Sequence, residues 1–270
     1  MGPDLLKLLL TPTLITAATL VQRRWAPLFG GRLVGLPLTA ASSLALLTVR
    51  EGEKFAVQTA IATLGGQLAI AAFCLGYART ALTHRWSIAL PTAVCCYAIA
   101  ALALSRHDFS LPALEFLVPM GLAATLAAWP ALTPREVVAM PWELPTRITV
   151  ATMITTLVLA AAAVLGSRTI GLVASFPLFA GLSAAHGQHA AGGPVAVISL
   201  RSVVVGAFTS SVFFLTIAST LPALGALGAF PLAVVATVFA HIAVNLSSYG
   251  LKPVDSCIGR MNERQLASSA

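Results

Sequence analysis

Apolar runs of roughly 17 to 26 residues recur along the whole chain, separated by short polar segments. Each is about the length needed to cross a ~30 Å hydrocarbon core as a helix. The pattern predicts spans at 5–21, 33–49, 55–78, 86–104, 111–133, 147–167, 169–185, 195–219 and 222–247, followed by a polar tail. Strand-like alternation of polar and apolar positions is absent, which excludes a barrel. The expected fold class is all-α, a polytopic membrane helical bundle of about nine transmembrane helices.

The pattern also repeats. A shift of 140 residues brings Pro37 onto Pro177, Gly52 onto Gly192, Gly66 onto Gly206 and Pro91 onto Pro231, and sets "ALPTAV" (89–94) against "AFPLAV" (229–234). The first span needs a shift of 133, where "PTLITAAT" (12–19) meets "PTRITVAT" (145–152). Each half then holds four spans, with 111–133 between them, so the second half starts from the opposite face of the membrane. The expected organisation is a 4+1+4 inverted repeat: a first unit at 1–105, a linking helix and loop at 106–140, an inverted second unit at 141–248 and a polar cytoplasmic tail at 249–270. Such repeats underlie alternating access in secondary transporters. The competing reading is a duplication that merely enlarged a bundle.

Composition agrees with the pattern: 58% of the 270 residues are hydrophobic and 9% charged, against about 25% charged in soluble domains. The net charge of +7 raises the question of nucleic acid, but the loops account for it. With alternating spans, Arg23, Arg24, Arg32, Arg79, Arg85, Arg135, Arg147, Lys252, Arg260 and Arg264 fall on one side; Lys7, Arg50, Lys54, Arg106 and Arg168 fall on the other. The positive-inside rule puts the first group in the cytoplasm, with the N-terminus outside and the C-terminus inside. No cleavable signal peptide is expected, because "QRRW" follows the first apolar run instead of a small-residue cleavage site. Cys74, Cys95, Cys96 and Cys257 have no zinc-like spacing and read as small packing residues.

Two phrases carry the candidate chemistry: "LVGLPLTAASSLALLTVREG" (33–52) and "TIGLVASFPLFAGLSAAHGQHAAGG" (169–193). A proline inside a helix removes one amide donor and clashes with the carbonyl four residues earlier. Here Pro177 acts on Val173 and Pro37 on Leu33. In lipid the freed carbonyl must face protein, a hydroxyl or a water-lined cavity. Paired interrupted spans of this kind point to a transporter's central site. Thr39, Ser42 and Ser43 flank one break, Ser175 and Ser183 the other. Such hydroxyls either bind substrate or join helices. The next helices add Gln58, Thr59, Ser199 and Arg201. Arg201 has two readings, an inward-facing cation favouring an anionic substrate or a side chain snorkelling to the headgroups. Thr237, His241 and Asn245 share a helix face at intervals of four. His241 is a candidate for proton coupling, or a histidine hydrogen-bonded to a neighbouring helix. Glu115 is a proton carrier if a cavity reaches it and an interfacial acid otherwise.

"IGLVASFPLFAGLSAAHG", followed by the basic span "ISLRSVVVGAFTSSVFFLTIAS", resembles the GlpM family of small four-helix bacterial inner-membrane proteins. The resemblance covers 145–245 and, more faintly, 12–105, where Ile61 replaces Arg201. It implies a bacterial inner membrane and two fused four-helix units, and supplies no substrate.

Enzyme signatures are missing. His186 and His189 in "HGQH" lack further metal ligands, and no phosphate loop or nucleophile elbow is present. The expected function is a gradient-driven secondary transporter or exporter of a small anionic or amphipathic metabolite, without cofactor or metal. The alternatives are a channel or a non-transporting subunit that aids lipid or polysaccharide export. Expected partners are the lipid bilayer, a small-molecule substrate and protons, with a homodimer compatible and nucleic acid not.

Overall fold

A chain this apolar must satisfy its backbone internally, and in the computed structural model it does so with helices alone among the described residues, 38–107, 109–131 and 166–249. Helix α1 spans Leu38–Glu51, α2 Glu53–Ala81, α3 Trp86–Ser105 and α4 Leu111–Ala127. Helix α5 covers 166–174, α6 Leu178–Ala191 and α7 Gly193–Tyr249. Glu53–Ala81, Trp86–Ser105, Gly166–Ala191 and Gly193–Val244 are long and apolar enough to cross a membrane. The expected span 5–21, almost all of 147–167 and the tail beyond 249 lie outside the described residues.

Single glycines make the sharpest turns. Gly52 joins α1 to α2 at φ 90°, ψ 168°, and Gly192 joins α6 to α7 at φ 90°, ψ 171°. A Cβ is rarely tolerated at such angles, so glycine is needed at both. Gly225 (φ 65°, ψ 178°) interrupts α7, dividing it into α7a (193–224) and α7b (226–249). The chain folds back there: the rings of Phe213 and Phe230 lie 6.4 Å apart, where continuous helix would separate them by ~25 Å.

Two expected boundaries move. Pro222 was the predicted start of the last span, yet it lies within helix and the turn falls at Gly225, the residue that accepts a positive φ. The span predicted to end at 185 runs as Gly166–Ala191, 26 residues, so it is not short. Helix continues through the polar "HGQH" because Gln188 satisfies its amide against Tyr77, Ala81 and His84.

Interhelix contacts fix the helix directions. Gly193, at the start of α7a, abuts the Ala81 carbonyl at the end of α2. Ser210 bonds Gln67 at mid-helix, and a Cβ on Gly225 would lie 3.6 Å from Glu53 Oε1. Helices α2 and α7a are therefore antiparallel. The α5–α6 segment runs parallel to α2, with Gly171 beside Thr59, Gly181 beside Phe73 and Gln188 beside Ala81. Helix α1 folds back from α2 at Gly52: Ser43 and Leu47 share a void with Thr59 and Thr63. Helix α3 also folds back, with Cys96 against Gly76. Thus α1 and α6, α2 and α7a, and α3 and α7b start or turn 140 residues apart and run in opposite directions. Helix α4 packs against both α2 and α7.

The buried positions follow the same offset. Ala89, Ala93 and Tyr97 are buried on α3, and Ala229, Ala233 and Thr237 on α7b. Phe73 and Phe213 anchor the core on α2 and α7a. Ile99 and Leu102 on α3 and Val235 and Phe239 on α7b stand outward and exposed, an arrangement that suits contact with lipid.

Candidate functional site

The break at Pro177 shows how the sequence repairs an interrupted helix. Pro177 caps α6 at φ −84°, ψ 54°. The Val173 carbonyl accepts the Phe176 N–H at 3.1 Å. The Leu172 carbonyl accepts the Tyr97 hydroxyl at 2.6 Å and lies 2.8 Å from Ser175 Oγ, and those two hydroxyls are 2.8 Å apart. Thr63 Oγ1 lies 3.2 Å from the Gly171 carbonyl. Phe176 stands edge-on to Tyr97 and Phe73, at centroid distances of 5.0 and 6.1 Å. Gly66 faces Ser175 with no room for a Cβ. Of the three environments open to a broken helix in lipid, this one has protein hydroxyls.

Ser43 and Thr59 meet Thr63 and Ala174 around a void of about 10 Å³, room for about one water. One hydroxyl from the first phrase therefore comes within reach of the break in the second. Thr59 also bonds the Phe55 carbonyl at 2.9 Å, as hydroxyls within helices commonly do.

A larger cleft of about 80 Å³ opens beside the same break. Gln58, His107 and Arg168 give it polar groups, and Ile61, Gly65, Leu114 and Leu172 form apolar walls. Arg168 donates to the Leu104 carbonyl at 3.1 Å, in the last turn of α3. His107 and Phe109, from the α3–α4 connection, also line the cleft, so it opens at the helix ends where Gly52 and Gly225 turn.

The remaining predicted residues are dispersed. Glu115 and Arg201 are exposed, on α4 and α7a. Ser183 and Ser199 are half-buried on α6 and α7a, and His241 is half-buried on α7b. Pro37 lies outside the described residues, as do the side chains of Thr39, Ser42 and Asn245.

Sequence reasoning missed Tyr77, Tyr97, Gln188, His107 and Phe109, and took Arg168 only as a loop charge. Tyr97 carried a readable signal. It stands 140 residues before Thr237, a polar residue at the matching place in an equally apolar helix. Searches against family models, curated proteins and solved structures returned no match, so the geometry of the chain itself carries the functional reading.

Proposed function

We propose that the protein is a gradient-driven secondary transporter of a small solute, built as a 4+1+4 inverted repeat of nine transmembrane helices. Its place is the bacterial inner membrane, N-terminus outside, and its two units are related to GlpM-like four-helix proteins. One observation carries the reading: α1 and α6 occupy Leu38–Glu51 and Leu178–Ala191, each ends at a glycine of φ 90°, and the paired helices run oppositely. Two such units can exchange conformations, which would turn an outward-open protein into an inward-open one.

The two ends of the bundle differ in a way that suits this reading. At the Gly192 end, Gln188 ties α6 to α2 and to the α2–α3 turn. At the Gly52 end the position corresponding to Gln188 is Thr48, which bonds its own helix at Leu44, and the open cleft lies there. A conformation closed at one end and accessible from the other is one half of an alternating-access cycle.

The test is flux into proteoliposomes containing the full chain, assayed with labelled small anions, cations and neutral metabolites. A transporter gives saturable uptake and counterflow for one class. Conductance without saturation indicates a channel, and inactivity towards every probe indicates a non-transporting subunit; either result overturns the proposal.

A further inference from the structure

We propose that the cleft beside Arg168 binds a small carboxylate with a short apolar tail, an inference that gives the transport reading its substrate class. The cleft has a direction. Gln58 and His107 are exposed at its mouth, while Gly65 and Leu172 are buried at its inner wall. Seven residues separate Gln58 from Gly65, about 10 Å along α2. That distance suits a polar head and a tail of a few carbons.

Charge selects the head. Arg168 is the permanent cation on the wall, and no carboxylate lines the cleft among the described residues. A guanidinium presents five N–H donors in a planar fork matched to a carboxylate. The Leu104 carbonyl orients that fork by accepting one bond.

Size and wall chemistry narrow the choice further. A volume near 80 Å³ accommodates about six water-sized atoms, close to a four- or five-carbon acid and too little for a nucleotide. Ile61, Leu114 and Leu172 leave an inorganic anion without partners on the inner side, because a polar group there loses its hydration without compensation.

The probe is labelled valerate, measured at equilibrium on the purified full chain, with its neutral isostere valeramide as competitor. We expect valeramide to compete about ten-fold more weakly, and Arg168→Gln to weaken valerate about ten-fold, as loss of a charge-assisted hydrogen bond would. Arg168→Lys restores part of the loss. Gly65→Val fills the inner wall and weakens valerate more than acetate. The inference is overturned if valerate does not bind, if valeramide competes equally, or if Arg168→Gln binds valerate normally, the last assigning Arg168 solely to capping α3. Should Arg168→Gln not fold, the valeramide and Gly65→Val arms still decide.

Failure of this inference and failure of the transport reading look different. Valerate binding without counterflow upholds the site and overturns transport. Saturable counterflow of a cationic or neutral solute, unchanged in Arg168→Gln, upholds transport and overturns the site.

Discussion

The Tyr77 hydroxyl donates to Gln188 Oε1 at 2.9 Å, joining α2 to α6 across 111 positions of sequence. Gln188 Nε2 also lies 3.2 Å from the Ala81 carbonyl and 2.8 Å from that of His84. One amide thus closes an entire end of the bundle. Side-chain hydrogen bonds between membrane helices contribute about 0.6 kcal/mol on average and about 1.7 at most. Tyr77→Phe should cost an amount in that range. Gln188→Ala, which removes all three bonds, should lower the thermal midpoint more. Equal midpoints for Gln188→Ala and wild type would remove this contact as the closure.

Close packing at Gly193 gives a sharper test. A Cβ there would strike the Ala81 carbonyl, which is backbone and cannot rotate away. Gly193→Ala should destabilise by about 1–3 kcal/mol, as overpacking does, and reduce accumulation in the membrane. Gly187→Ala is the control: its Cβ would meet only Val195 Cγ1 at 3.5 Å. The gain in helix propensity, up to about 1 kcal/mol, makes that variant neutral or stabilising. Comparison of melting midpoints checks both.

At the break, the Leu172 carbonyl faces two hydroxyls. Tyr97→Phe leaves it Ser175, and Ser175→Ala leaves it Tyr97. Each single change should therefore cost less than about 1.7 kcal/mol. The double variant should cost more than their sum, because a buried carbonyl then loses both side-chain partners. A double-mutant cycle on thermal unfolding measures the coupling, and additive losses would remove it.

Helix direction predicts accessibility. In a background with the four native cysteines replaced, Lys54→Cys and Leu224→Cys should react with an impermeant thiol reagent from one side of the membrane. Thr83→Cys and His189→Cys should react from the other side. All four residues are exposed, at opposite ends of the bundle. Labelling of Lys54→Cys and Leu224→Cys from different sides would contradict the antiparallel pairing of α2 and α7a.

Arg201 is exposed on α7a, so Arg201→Gln should change stability by no more than about 0.5 kcal/mol. If it shares an ionic pocket with His241, as the sequence suggested, Arg201→Gln and His241→Ala should each alter uptake and its pH dependence. Unchanged uptake in folded protein assigns Arg201 to the headgroups.

Much of the fold was legible along the chain. The spans at 55–78 and 86–104 became Glu53–Ala81 and Trp86–Ser105, because apolar length is written in consecutive residues. The interruption at Pro177 was also legible, since a missing amide acts on its own turn. The extent of the following helix was not. Gln188 looked like a loop residue until Tyr77, Ala81 and His84 supplied its partners.

The sequence by itself determined that this chain is helical, apolar enough to span membranes, and punctuated at Gly52, Pro177 and Gly192, because segment length and backbone sterics are local properties. Only the tertiary structure decided that Tyr97 and Ser175 close the break, and that Arg168, His107 and Gln58 surround an opening beside it. Those partners come from different helices, and helices apolar on every side carry no periodic polar stripe to announce which face turns inward.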